Sequence, residues 1–184
     1  MIRQYNQNAD GKAVKYVCHA SSTTPTHKAS LRLVCLLYCD YYIATNKSHA
    51  FVATDEFDKP VGYILCDTDF TKYAKLYPTF IADAKKESPK DFKNAKLILK
   101  HCAEIADDYP AHLQMNVLPA FQTRGIGRAL VETEIARLRG EGTKGVFVVL
   151  KQSNKGAIAF FERLGFSKLL RIRKKFYVLS LKII

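Results

Sequence analysis

One turn limits the folds open to this chain more than any other segment: Phe121-Gln122-Thr123-Arg124-Gly125-Ile126-Gly127-Arg128. On its N-terminal side, His112 to Val117 alternate apolar and polar residues, which predicts a strand whose two faces have different neighbours, ended by Pro119. On its C-terminal side, residues 126, 130, 131, 135 and 138 form one apolar helical stripe from Ile126 to Arg139, with Gly140 and Gly142 as the stop. A strand that enters a helix through glycines leaves the first helical N–H groups facing outward. Those amides carry roughly half a unit of positive charge, and Arg124 and Arg128 add full charges beside them. A lone Gly-x-Gly also serves as a plain tight turn; in this setting it makes a cradle for an anion such as a pyrophosphate. It is not a dinucleotide fingerprint, whose third glycine would fall at Leu130 and whose acidic residue would fall in an apolar strand. A phosphate loop is excluded too, because Gly-Lys-Ser/Thr is absent.

The other segments interleave strands and helices around that turn. Ile2 to Tyr5 read as a short strand, followed by a helix capped by Asp10 that runs to about Cys18 and turns Ala13, Val14, Val17 and Cys18 inward until SSTTPT breaks it. Residues 31 to 44 are apolar on most sides and predict one buried helix. HAFVATDE and KPVGYILCDT predict an antiparallel hairpin around Phe57 to Pro60. In 70 to 107, Phe92, Ala95, Leu99, Cys102 and Ala106 recur at helical spacing, with shorter pieces bounded by Pro78 and Pro89 before them. Val146 to Leu150 form an unbroken apolar strand, Asn154 caps a helix that ends at Gly165, and the tail gives two strands around a basic turn. The pattern is mixed α/β with one central sheet. At 184 residues the expectation is one domain, 1–184, with 70–107 as a helical insertion and 111–166 as the core.

Composition narrows the partners. No apolar run approaches the ~20 residues that span a bilayer, and the first residues lack a signal-peptide stretch, so a cytoplasmic protein without membrane attachment is expected. The five cysteines include no CxxC pair and read as reduced, mostly buried thiols; no His/Cys spacing fits a metal, so none is expected. A net charge of +12 favours anionic partners.

The run from Ala111 to Phe166, with QTRGIG and then NKGAIAFFERLGF from Asn154, closely resembles the acyl-CoA-binding core of GNAT N-acetyltransferases, which carry QxxGxG followed by Asn-x-x-Ala-x-x-Phe-Tyr-Glu-x-Leu-Gly-Phe. Weaker similarity covers the first strand, the first helix and the hairpin, a layout that also resembles the GNAT-like domain attached to some O-GlcNAcases. The resemblance implies the GNAT fold, an α/β (α+β) architecture with a mixed, mostly antiparallel sheet of about six or seven strands flanked by helices, and a V-shaped splay between the fourth and fifth. It implies an N-acetyltransferase that takes acetyl-CoA as co-substrate and acetylates a primary amine. Met115, Asn116 and Val117 would pair along the pantetheine arm through their backbones; Gln122, Thr123, Arg124, Gly125, Ile126, Gly127 and Arg128 would wrap the pyrophosphate; Asn154 would meet the arm from the other side, in addition to capping its helix. An opened strand edge suits an amide-rich arm because it pairs like an added strand.

Two positions depart from the family pattern. Val149 stands where some members carry a glutamate base, and Phe161 replaces the tyrosine that protonates the departing thiolate. Phe161 can still pack on the acyl or pantetheine arm. His112, ten residues before Gln122, occupies the position of the glutamate base of histone-acetylating members, and its pKa of ~6.5 suits proton acceptance near neutrality. Asp107 and Asp108 are weaker bases; water, Tyr177 or Tyr109 could supply the acid. A thiol of pKa ~8.5 also departs without one, at reduced rate.

A chain this basic is a poor collector of polycations, which disfavours polyamines and aminoglycosides and leaves a protein amine, an amino sugar or another small amine. Two other readings remain: a GNAT-like acyl-CoA-binding or partner-binding module without turnover, and a nucleic-acid-binding protein using Arg171, Arg173, Lys174 and Lys175. The last is disfavoured by the lack of a nucleic-acid module. The assembly is open between monomer and homodimer.

Overall fold

A computed structural model of the chain describes residues 1–21 and 29–184. Strands β1 (Ile2–Gln4), β2 (Ala50–Thr54), β3 (Pro60–Asp67), β4 (Ala111–Val117), β5 (Gly145–Lys151), β6 (Ser167–Ile172) and β7 (Phe176–Lys182) form one sheet in the order β1-β2-β3-β4-β5-β7-β6. All neighbours are antiparallel except β4 and β5, which run parallel. This is the mixed, mostly antiparallel sheet expected from the sequence.

Two cores lie on opposite faces. One gathers α1 (Gln7–Ala20), α2 (Leu31–Tyr38), α3 (Asp40–Thr45), α4 (Phe70–Phe80) and α6 (Pro89–Cys102) around Tyr63, Leu65 and Phe147. The other packs α7 (Ile126–Gly140) and α8 (Lys155–Arg163) on Ile64, Leu113 and Val148. Alternation along β3, β4 and β5 distributes their side chains between the two. All five cysteines are free and buried, as read from their spacing.

Local chemistry moves several boundaries. The cap of α1 is Asn6, whose side chain accepts the N–H groups of Asn8 and Ala9. Asp10 instead accepts the Asn6 N–H at 2.7 Å and is clamped by Arg3, so it braces the cap from within the first turn. Of the SSTTPT stretch, Ser21 ends α1 and the rest lies outside the described residues. The single helix expected over 31 to 44 breaks at Cys39, where φ is −133°, and Asp40 restarts it as α3. Pro78 sits inside the last turn of α4 rather than bounding it, while Pro89 takes the first position of α6, where its missing N–H costs nothing. A four-residue helix, α5 (Ala84–Glu87), links the two. Among the described residues, no helix is long and apolar enough to cross a membrane and no group of His, Cys, Asp or Glu is arranged to hold a metal.

Candidate functional site

The parallel pair β4–β5 is joined only at its start, by Ala111 with Val146 and His112 with Phe147; beyond these the strands diverge. The register decides what faces the gap. Leu118 donates to the Val61 carbonyl across β3, so Asn116 and Gln114, at even spacing from it, use their backbones on β3. Met115 and Val117 therefore direct their backbone groups toward β5. On the other side Gln152 donates to the Lys175 carbonyl, which commits Leu150 and Val148 to β7 and turns Val149 and Lys151 toward β4. The Val117 carbonyl is already taken, by Gln122 Nε2 at 2.9 Å and Ser21 Oγ at 3.2 Å, while its N–H faces the opening.

The glycine turn completes this wall. Gly125 has φ of +79° and precedes α7 directly, a left-handed conformation that a β-carbon would strain. The first intrahelical bond runs from Ala129 N–H to the Gly125 carbonyl, which leaves the amides of Ile126, Gly127 and Arg128 at the helix end. A β-carbon on Gly127 would lie 3.3 Å from the Phe160 ring and 3.4 Å from the Met115 methyl, so α7 approaches α8 and β4 closely here and a side chain would push these two tips back by a few tenths of an ångström. Asn154 Oδ1 accepts the Ala157 N–H at 3.1 Å and caps α8, as its sequence position predicts.

A cavity of about 740 Å³ runs through the opening. His112, Met115, Asn116, Val117, Gln122, Thr123, Gly125, Gly127, Arg128, Asn154 and Phe161 all line it. Two residues expected at the anion cradle do not: Arg124 lies against the Phe121 ring at 5.4 Å, and Ile126 packs into the α7 core. Gln122 and Thr123 are bound locally, the former to Val117 and the latter through its hydroxyl to the Gln122 carbonyl. Of the two arginines of the turn, Arg128 lines the cavity; it pairs with Glu132 at 3.2 Å on the exposed face.

His112 is enclosed by rings. Tyr73 lies 4.1 Å away between centroids, Phe70 5.4 Å, and Tyr42 and Phe147 5.5 Å. It is 5% exposed, neither ring nitrogen has a hydrogen-bond partner among the described residues, and burial alone pushes its pKa down to about 3. It is a neutral imidazole across the working pH range. The weaker base and acid candidates lie elsewhere: Tyr109 packs against Gly145, Tyr177 faces Lys168 and Arg171 on the opposite core, and Asp107 borders a separate surface hollow.

The sequence left 70 to 107 open between a wall of the acceptor cleft and a partner surface and assigned no residue to it; the far wall of the cavity is made by Tyr42 of α3, Phe70, Tyr73 and Tyr77 of α4, and Asp91, Asn94 and Leu99 of α6. The signal was present: Phe70, Tyr73 and Tyr77 recur at helical spacing, as do Tyr38 and Tyr42. Lys151 was missed as well. It is half-buried at the open end of β5, with its pKa lowered by burial and by nearby Lys175 and Lys90, against the opposing pull of Asp91.

The family model for the acetyltransferase (GNAT) family matches residues 19–166. The chain belongs to the GNAT family. Its relatives include the [ribosomal protein bS18]-alanine N-acetyltransferase of Escherichia coli strain K12, 32% identical over 85 residues, which make up 46% of this chain and 57% of that protein. An uncharacterized N-acetyltransferase of Methanocaldococcus jannaschii is 30% identical over 110 residues, 60% of this chain and 35% of that protein. The chain thus spans little more than half of the bacterial relative and about a third of the archaeal one. Among solved structures, SsHAT superposes with a TM-score of 0.84 at 24% identity, covering 100% of this chain and 98% of that one. The NatC complex bound to Gag peptide and CoA gives 0.64 at 14% identity, covering 99% and 97%. At these identities the likeness establishes the GNAT fold. Against the GNAT pattern, Phe161 is 3% exposed and packs edge-on to Phe160 and Phe166, and Val149 lies against the tyrosine-rich core, so neither presents an ionisable group to the cavity.

Proposed function

We propose that this GNAT chain is an acetyl-CoA-dependent N-acetyltransferase that acetylates a primary amine, with residues 1–184 acting as one cytoplasmic unit in which 70–107 supply the acceptor wall. The observation that carries this reading is the divergence of β4 and β5 beside an open helix N-terminus. Backbone groups of Met115, Val117, Val149 and Lys151 face the gap between the diverging strands, and the amides of 126 to 128 lie at its end. These residues fit an amide-bearing arm that ends in a pyrophosphate. Acetyl-CoA supplies the thioester: the amine nitrogen forms a bond to the acetyl carbon, the carbon–sulfur bond breaks, and the thiol departs with a proton.

The chain's part is positioning. The Val117 N–H, facing the gap, is the donor for the developing oxyanion. We assign His112 the contact that orients the incoming amine; both of its ring nitrogens are buried, so the ring has to turn toward the cavity to accept the amine N–H. As a neutral imidazole of low basicity it orients the nitrogen lone pair, and the proton passes on to solvent. With Phe161 at the tyrosine position, that position cannot protonate the thiolate, so turnover is slow relative to members that keep the tyrosine. Calorimetric titration with acetyl-CoA, using Arg128→Glu as control, tests the co-substrate site. Micromolar binding, weakened at least about tenfold by the charge reversal, is expected; absence of heat at any concentration overturns the reading.

A further inference from the structure

Independently of that reading, we infer that the outer face of α6, with the basic groups it adjoins at the cavity, is a docking surface for the phosphate backbone of a nucleic-acid duplex. Lys90, Lys93, Lys96 and Lys100 recur every three or four residues, so they fall on one side of the helix, and all four are exposed. Among the described residues none of the four makes an ion pair. Like charges at these spacings destabilise a helix. Helix α7 shows the usual remedy, pairing Arg128 with Glu132 and Arg137 with Glu141 four residues on. In α6 the one carboxylate, Asp91, accepts from Ser88 Oγ at 2.7 Å in the helix cap and lines the cavity instead. A row of cations held at a cost to its own helix is matched by an anion from outside.

The row continues beyond α6. Asp91 and Asn94 line the same cavity as Lys151 at the end of β5. Burial, together with the charges of Lys175 and Lys90, lowers the pKa of Lys151 against the pull of Asp91, which puts both lysines beside it. Lys175 leads on through exposed Lys174 and Arg173 around the β6–β7 turn. The ten residues from Lys90 to Lys100 cover about 15 Å of helix, the axial span of roughly four phosphates along one strand. Chemistry narrows the partner further. Lysines are point charges suited to a ladder of phosphates, whereas carboxylates are best met by the two-pronged guanidinium. Among the described residues no exposed large apolar side chain belongs to α6, so this face has nothing to insert into a lipid surface. Its ring, Phe92, is half-buried with Lys96 Nζ 5.9 Å from its centre; it offers no platform for unstacked bases, which favours a duplex over a single strand.

Fluorescence anisotropy of a labelled DNA duplex of about 20 base pairs, titrated with the full chain, tests the surface without acetyl-CoA. Micromolar binding that is equal for unrelated sequences is expected at about 0.05 M salt, with log K falling against log salt at a slope of roughly −4 to −5. The double variant Lys93→Gln with Lys96→Gln is expected to weaken binding about tenfold, to flatten the slope by about 2, and to leave the melting temperature unchanged or higher as the repulsion is relieved. Lys12→Gln with Lys59→Gln removes the same charge from exposed sites on α1 and the β2–β3 turn, and is expected to change affinity by less than about twofold. Equal losses in the two double variants trace binding to net charge alone and overturn the inference. So does the absence of an anisotropy rise at about 0.1 mM protein, or tighter binding of a single strand than of the duplex. Polyglutamate that displaces the duplex at equal charge also overturns it, in favour of an acidic protein. A failure of acetyl-CoA to bind leaves the duplex titration unaffected, so the two readings fall separately.

Discussion

His112 separates the demands of stability and function within one side chain. Its two unpaired nitrogens make it a poor core residue, so His112→Phe, which keeps the ring stacking, is expected to leave stability unchanged or to raise it by about 1–3 kcal/mol. The same substitution is expected to lower kcat/KM for the amine roughly a hundredfold, since the group that orients it is gone. Thermal melts beside acetyl-transfer assays check both, and a parallel loss of stability would return the residue to an ordinary structural role. The sign of the pH effect follows. The unfolded chain binds a proton at a pKa of ~6.5, whereas the folded protein refuses it until about 3, so stability attributable to His112 is lost as pH falls between those values, by up to ~1.4 kcal/mol per unit. The rate should show no inflection near 6.5 and should rise toward the pKa of the amine itself. From sequence alone His112 was legible as a candidate, because its place before Gln122 and its alternating strand are local facts. Its suppressed basicity was not, because the rings that enclose it come from segments 39 to 70 residues upstream and 35 residues downstream.

At the scale of elements, α7 is tied to the sheet by a buried ion cluster. His49 donates to Glu134 at 2.8 Å and to Glu141 at 3.0 Å. Burial lowers the His49 pKa, but the bond and charge of Glu134 more than reverse this; burial also raises that of Glu134. His49 therefore contributes stability that is full below ~6.5 and is lost as pH rises through its elevated folded value, opposite in direction to His112. His49→Leu alone leaves Glu134 buried and unpaired and should cost about 3–5 kcal/mol, whereas adding Glu134→Leu should recover most of it. Urea denaturation of the two variants decides this. Helix and strand periodicity made α7 legible, but the apolar stripe hid Glu134, which occupies a core-facing position and is 0% exposed. The same limit applies to Cys39: its neighbours read as one continuous apolar helix, and only packing reveals the break. The glycine turn from strand to helix around Gly125, by contrast, was legible, because glycine's tolerance of unusual backbone angles is a property of the residue itself; the positive φ was supplied by the structure.

For the molecule as a whole, 29 basic against 17 acidic side chains give an attractive field for a polyanionic co-substrate. The association rate of acetyl-CoA is expected to fall several-fold between about 0.02 M and about 0.5 M salt, as the Debye length shrinks from roughly 20 Å to a few Å. Stopped-flow mixing measures it, and a salt-independent rate would assign the excess charge to solubility alone. The sheet order adds a consequence for how the protein is made. Strand β7 lies between β5 and β6, so the last strand in sequence is an interior strand of the sheet. Until it inserts, β6 has no place to dock and β5, one wall of the opening, has no partner on its outer side. The pairing of β5 with β7 spans about 30 residues, and such non-local closure comes late and slowly in folding. A nascent chain can thus complete its first hairpin during synthesis but cannot assemble the cavity until nearly every residue described has emerged.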